Sequence, residues 1–180
     1  GLQEALTEAM ATGRLHFTTK PEPADVFIIA VQTPYRETPE KKRVSDMRFE
    51  EAAAREVGSV IRAGGLCVLE STSPPGSTRL VEQIVSEVSG LKPEEFMTAH
   101  CPERIIPGRM LIELRQNDRI IGSNRPEAAE YAKSIYEKVV TKGTIRLTDD
   151  LTAEMCKLTE NTFRDINIAY ANELSKVCDR

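Results

Sequence analysis

The chain has 180 residues, of which 40% are hydrophobic and 29% charged, and its formal net charge is −4. That length supports one domain with a real core, or one domain plus part of another. The acidic balance argues against a general nucleic-acid surface. The longest clean apolar run, residues 26–31, is far too short to cross a bilayer, so no membrane partner is expected.

Residues 1–12 place Leu2, Leu6 and Met10 on one face and are followed by Gly13 at the natural C-cap position, the pattern of a short helix. This helix has no capping lead-in, which suggests that the sequence opens inside a domain. Residues 15–19 alternate like a short strand. After Pro21 and Pro23, residues 26–31 read as a strand buried on both faces. A polar loop over 32–43 leads to a helix over 46–62 carrying Phe49, Ala53, Val57 and Val60, closed by Gly64 and Gly65. Residues 66–70 form the next strand, and Leu80, Val81, Ile84, Val85 and Val88 mark the helix after it. Strands follow at 96–100 and 119–122, then a helix over 126–140 with proline in its first turn, and a strand at 144–147. Strand alternating with helix at this spacing implies an α/β fold, a parallel sheet with helices on both faces.

The four cysteines, Cys67, Cys101, Cys156 and Cys178, show no Cys-x-x-Cys pair and no pairing pattern. Free thiols in a reducing, cytoplasmic compartment are the expectation. His16 and His100 are the only histidines, so no metal-ligand set is expected.

The last stretch reads as one long amphipathic helix, with Met155, Leu158, Phe163, Ile166, Tyr170, Leu174 and Val177 recurring mostly at three- and four-residue steps. Thr152 or Asp150 is the expected cap, and Glu154 suits the positive end of the helix dipole. Lys157, Asn161 and Arg164 fall at i, i+4 and i+7 and therefore share a face. A merely wet face is usually built from Glu, Lys, Gln and Arg. This one instead carries Asn161, Asn167, Asn172, Thr159 and Thr162, each up to about 0.7 kcal/mol worse than alanine in a helix. A lysine, an amide and a guanidinium in file suit an oxyanion or a phosphate. In open parallel sheets, ligands bind beyond the carboxyl ends of the strands. Three strands end there in chemically pointed loops: Thr33-Pro34, Ser71-Thr72 and Cys101-Pro102-Glu103-Arg104. Each alone is an ordinary turn, cap or surface pair, but three at one edge suggest a site.

Four segments, Val31-Gln32-Thr33-Pro34, residues 70–78, residues 101–108 and residues 152–161, occur in an order and spacing that resembles the UDP-glucose/GDP-mannose dehydrogenase family. The Cys-Pro-Glu-Arg segment and the run from Asn161 to Leu174 are most similar to its UDP-N-acetyl-D-mannosamine branch. The resemblance covers essentially the whole chain. It implies a partial Rossmann-like NAD-binding domain over 1–148, followed by the start of a central helical dimerisation and substrate-binding domain over 149–180. It further implies oxidation of a UDP-sugar C6 alcohol to the uronic acid through a cysteine thioester, with NAD as cofactor. Carried over by position, Thr33 resembles a cofactor contact near the pyrophosphate and Thr72 one near the nicotinamide. Glu103 resembles the glutamate that manages the hydrolytic water, and Arg104 and Ile105 the substrate contacts after it. Lys157 resembles the lysine that handles charge or a proton on the sugar oxygen, with Asn161 as second donor and Arg164 as a further substrate contact. A homodimer through the central helix is the implied assembly.

The departures bear on activity. No Gly-x-Gly-x-x-Gly turn, no acidic ribose ligand after it and no Gly-Gly-x-Cys nucleophile segment is present. Cys67 follows Gly64-Gly65, but with Leu66 it opens a buried strand, where a structural thiol is expected. Gln32 and Pro75 stand where the family usually has proline and valine. The chain thus resembles the middle of a longer dehydrogenase, inactive by itself. The rival readings are a 6-dehydrogenase for another nucleotide sugar (UDP-glucose, UDP-GalNAc, UDP-GlcNAc or GDP-mannose) and a non-catalytic α/β binding domain. Arg104 is the feature that favours an acetamido sugar.

Overall fold

A computed structural model describes residues 1–106 and 108–179, so Pro107 of the third motif lies outside the described residues. The first helix, α1 (Leu2–Ala11), is exposed along its length except at Ala9. The expected strand at 15–19 does not form. Those residues are irregular and exposed, because alternation alone makes no strand without a neighbour to receive its hydrogen bonds.

A five-stranded sheet is built from β1 (Val26–Ile29), β4 (Leu66–Leu69), β5 (Met97–His100), β6 (Arg119–Gly122) and β7 (Ile145–Thr148), in that spatial order. The pairs β1/β4, β4/β5 and β6/β7 are parallel. The expected all-parallel sheet is interrupted once: β5 and β6 meet antiparallel through the single bridge His100–Gly122. The polar loop expected over 32–43 also departs from expectation. Its ends pair as a small antiparallel ribbon, β2 (Tyr35–Glu37) with β3 (Arg43–Ser45).

The core follows from period-two alternation in the strands. On one face Phe27, Ile29, Cys67 and Leu69 meet α2 (Arg48–Gly58) and α3 (Ser77–Ser89) through Ala54, Val57, Val81, Ile84 and Val85. On the other, Leu66, Val68, Ala99 and Ile121 meet α5 (Pro126–Tyr136) through Ala129, Ala132 and Tyr136. The run Leu66–Leu69 is buried at every position, as a central parallel strand requires. β1 was expected to be buried on both faces but is not, and Ile28 is half exposed. β1 is the outer strand, packed chiefly on α2, while α5 lies mainly over β4 to β7. A short helix unforeseen in the sequence, α4 (Met110–Gln116), joins β5 to β6.

The final helix, α6 (Asp150–Cys178), begins at the sheet and runs out of the domain. Its cap is neither expected residue. Asp149 accepts from Thr152 N at 2.9 Å and from Thr152 Oγ1 at 2.6 Å, which frees Asp150 to go inward and pair with Arg79 at 2.7 Å. Ala153 rests on Gly122, where an added Cβ would lie 2.3 Å from Asp149 O and 2.6 Å from Ala153 Cβ. Gly122→Ala is therefore expected to cost about 1–3 kcal/mol or more, because the colliding atom is backbone and α6 itself must shift. Equilibrium denaturation midpoints of the two proteins check it. Beyond Glu160 every described residue of α6 is exposed, including Ile166, Tyr170, Leu174 and Val177. Among the described residues, no helix is long and apolar enough to cross a membrane.

Candidate active site

The carboxyl ends of β1 and β4 open into a hollow of about 320 Å³ lined by Val31, Gln32, Thr33, Tyr35, Ser45, Thr72 and Leu158. Thr33 and Thr72, from separate loops, are thus brought together, with one wall supplied by α6. Thr33 donates its hydroxyl hydrogen to Glu50 of α2, a fully buried carboxylate. Ser71 Oγ donates to Val31 O at 2.7 Å, which ties the second loop to the first. Gly76, at φ 94°, presents its N–H to Glu154 at the start of α3. Two side-chain hydroxyls at the mouth of parallel strands suit one end of a dinucleotide. The hollow holds only part of such a molecule.

A larger groove of about 810 Å³ also runs along α6, lined by Arg104, Gln116, Asn117, Asp118, Lys157, Glu160, Phe163, Arg164, Asn167, Ile168 and Ala171. It gathers Lys157, Arg164, Asn167 and Phe163 from α6, and Arg104, Gln116 and Asn117 from the connection between β5 and β6. Lys157 is half-buried and its ammonium donates to the carbonyl oxygen of Glu103. Burial pulls its pKa below the usual lysine value, and Arg164 and Arg104 act in the same sense, while Glu160 and Glu103 oppose. Arg104 spans the groove, donating to Asp118 O at 3.2 Å and pairing with Glu160. Arg164 lines the outer wall and is exposed.

The remaining expected residues are placed differently. Asn161, one turn beyond Lys157, is exposed and lines neither hollow. The Glu103 carboxylate does not line the groove and is held by three donors. Its Oε1 accepts from Arg104 N at 2.6 Å and Ile105 N at 2.9 Å, and its Oε2 from Arg119 at 2.6 Å. Ile105 is half-buried and enters through its backbone. Neither buried cysteine, Cys67 or Cys101, has the environment of a nucleophile. Burial pushes Cys67 up to about 12 and Cys101 up to about 11, the values of inert thiols, the latter despite the nearby Arg119.

Two contributors escaped the sequence reading, Arg119 and Glu70, and a third, Glu154, is expected at the dipole of its own helix but serves another. Arg119 had a signal. In the strand Arg119–Gly122 it shares a face with Ile121, so period two places a guanidinium in the core. Glu154 caps α3 rather than its own helix, and no local signal pointed there, because its partners Gly76 and Thr78 lie far away in the chain.

Residues 1–140 match the model of the UDP-glucose/GDP-mannose dehydrogenase family, NAD binding domain, and residues 151–180 match that family's central domain. An NDP-N-acetyl-D-galactosaminuronic acid dehydrogenase from Ralstonia nicotianae is 48% identical over 95% of this chain and 41% of its own length. A UDP-N-acetyl-D-mannosamine dehydrogenase from Yersinia pestis is 42% identical over 99% of this chain and 43% of its own. Among solved structures, the UDP-N-acetyl-mannosamine dehydrogenase from Staphylococcus aureus superposes with a TM-score of 0.86 at 39% identity, over 99% of this chain and 43% of that one. The chain therefore spans about two fifths of the length of the proteins it matches.

Proposed function

The chain belongs to the UDP-glucose/GDP-mannose dehydrogenase family, and on that premise we propose that it works within an NAD-dependent UDP-N-acetyl-D-mannosamine 6-dehydrogenase, oxidising the sugar C6 alcohol to the uronic acid. Residues 1–148 act as part of the NAD-binding domain and residues 149–180 as part of the central helical domain. The observation that carries this reading is that α6 lines both hollows with successive residues, Leu158 in the smaller and Lys157 in the larger. A sugar held in the groove then stands beside a cofactor held at Thr33 and Thr72. NAD, when bound, supplies the hydride acceptor for each of the two oxidation steps.

The residues of this chain supply position and charge. Lys157 stabilises negative charge on the sugar oxygen, and its lowered pKa eases release of its proton relative to a free lysine. Glu103 steadies Lys157 through its carbonyl, and its carboxylate is the one assigned to the hydrolytic water. Asn161 is a second donor once substrate extends along α6. Arg104, Ile105 and Arg164 contact the substrate, the two arginines suiting its anionic diphosphate. The thioester cysteine is assigned to none of the four thiols here. The exposed stripe Ile166, Tyr170, Leu174 and Val177 is proposed as half of a homodimer interface, in a cytoplasmic enzyme.

A second reading, an N-acetylgalactosamine nucleotide as substrate, is favoured by the similarity to the Ralstonia protein. Measuring NADH formation by the whole protein against a panel of nucleotide sugars separates the two. The expected result is a kcat/KM for UDP-N-acetylmannosamine at least ~100-fold above that for UDP-glucose, the scale set by one well-matched polar group. The 180 residues alone are expected to form no NADH. A preference for UDP-N-acetylgalactosamine would select the second reading, and a preference for UDP-glucose would overturn both.

A further inference from the structure

Arg119 opens β6 with a side chain only 4% exposed. A guanidinium persists at that depth only where anions and acceptors surround it. Its Nη2 donates to Glu103 Oε2 at 2.6 Å, and its Nη1 lies 3.5 Å from Glu70 Oε1. Its carbon stands over the Tyr136 ring at 5.1 Å, and the Tyr136 hydroxyl donates to Glu70 Oε1 at 3.1 Å. Burial raises the Glu70 pKa while Tyr136 and Arg119 oppose that rise.

The two carboxylates belong to different loops. Glu70 follows the last residue of β4 and stands two residues before Thr72, which lines the smaller hollow. Glu103 lies in the loop after β5, where its carbonyl receives Lys157 and the next residue lines the groove. Backbone pairing does little to fix that second loop, since β5 and β6 share one bridge. A planar fork that meets two carboxylates at once can do so, and a lysine cannot reproduce it.

We infer that Arg119 is a positioning residue: a buried brace tying the cofactor-side loop at Glu70 to the substrate-side loop at Glu103, and so setting where the Lys157 ammonium stands relative to the cofactor hollow. The inference rests on the proposed role of Lys157. It touches neither ligand and acts through the two loops.

A double-mutant cycle in the whole protein tests it, with Arg119→Met, Arg119→Lys and Lys157→Ala. The readouts are kcat, KM for NAD and UDP-sugar, and thermal unfolding. Arg119→Met is expected to lower kcat about 30- to 100-fold, the effect of misplacing a reacting group by about 1 Å, with both KM values within about threefold. Arg119→Lys recovers less than about tenfold of that loss, because it keeps charge without the fork. In the Lys157→Ala background the same change costs under about threefold, since the group it positions is gone. Should Arg119→Met not fold, Glu70→Gln carries the cycle, with an expected loss of about 3- to 10-fold that again vanishes without Lys157. Equal losses in both backgrounds, an unchanged kcat, or an effect confined to KM would overturn the brace. Near wild-type turnover in Lys157→Ala alone would remove the role of Lys157, and this inference with it.

Discussion

Replacing Lys157 with alanine in the whole protein is expected to lower kcat by about 10²- to 10³-fold, the usual loss of one fixed donor to a developing oxyanion. KM for NAD is expected to stay within about threefold, because Lys157 lines the groove and not the hollow of Thr33 and Thr72. The pH profile adds a second readout. Burial lowers the Lys157 pKa, so the ammonium gives up its proton at a lower pH than a free lysine would. If proton exchange through Lys157 limits turnover, kcat rises with pH through that depressed value, and Lys157→Ala flattens the rise. Lys157→Arg keeps the charge without a titrating proton, so it is expected to recover substrate affinity and little of kcat. Steady-state kinetics across pH decide the matter, and turnover near that of the wild type in Lys157→Ala would take the residue out of the chemistry.

Glu154→Ala is expected to be the most destabilising single change on α6. Its carboxylate is wholly buried and accepts from Gly76 N at 2.6 Å, Thr78 N at 2.7 Å and Thr78 Oγ1 at 2.6 Å. It thus caps the first turn of α3 from another part of the chain, an anion at the positive end of that helix. Truncation leaves those donors buried without an acceptor, at about 3–5 kcal/mol in sum. For a chain of this size that is a fall in Tm of roughly 6–20 °C. Glu154→Gln keeps one acceptor oxygen and the shape, and is expected to lose about half as much. Thermal unfolding of the three proteins under one buffer checks the order. Since α6 carries Lys157 one turn later, Glu154→Ala is also expected to blunt turnover, whereas a surface change such as Glu173→Ala, at an exposed pair with Lys176, leaves both unchanged.

Much of this protein could be read along the chain because its signals are local. The apolar run at Leu66–Leu69, the spacing of Leu80, Val81, Ile84 and Val85, and Pro126 at a helix start each depend on near neighbours. They settled the α/β class and the helices on both faces. The loops at Thr33, Thr72 and Glu103, and the row on the last helix, were legible because strand ends and helical periodicity put them at one edge. Local rules failed wherever a distant segment decided the outcome. The 15–19 segment had the alternation of a strand but no partner, and the ends of the 32–43 loop found partners in each other. The antiparallel junction of β5 with β6 has no marker in either strand.

The sequence by itself determined which groups are available: a lysine, an arginine and amides along one helix, a second arginine in the loop after β5, and two hydroxyls at strand ends. Only the tertiary structure decided which of them meet. It drew Glu103 inward to Arg119 and left Asn161 in solvent. It gave Glu154 to α3 and Asp150 to Arg79, and passed the cap of α6 to Asp149. The physical reason is that a buried charge must find its counter-charge or donor across the fold, between residues that no periodicity relates.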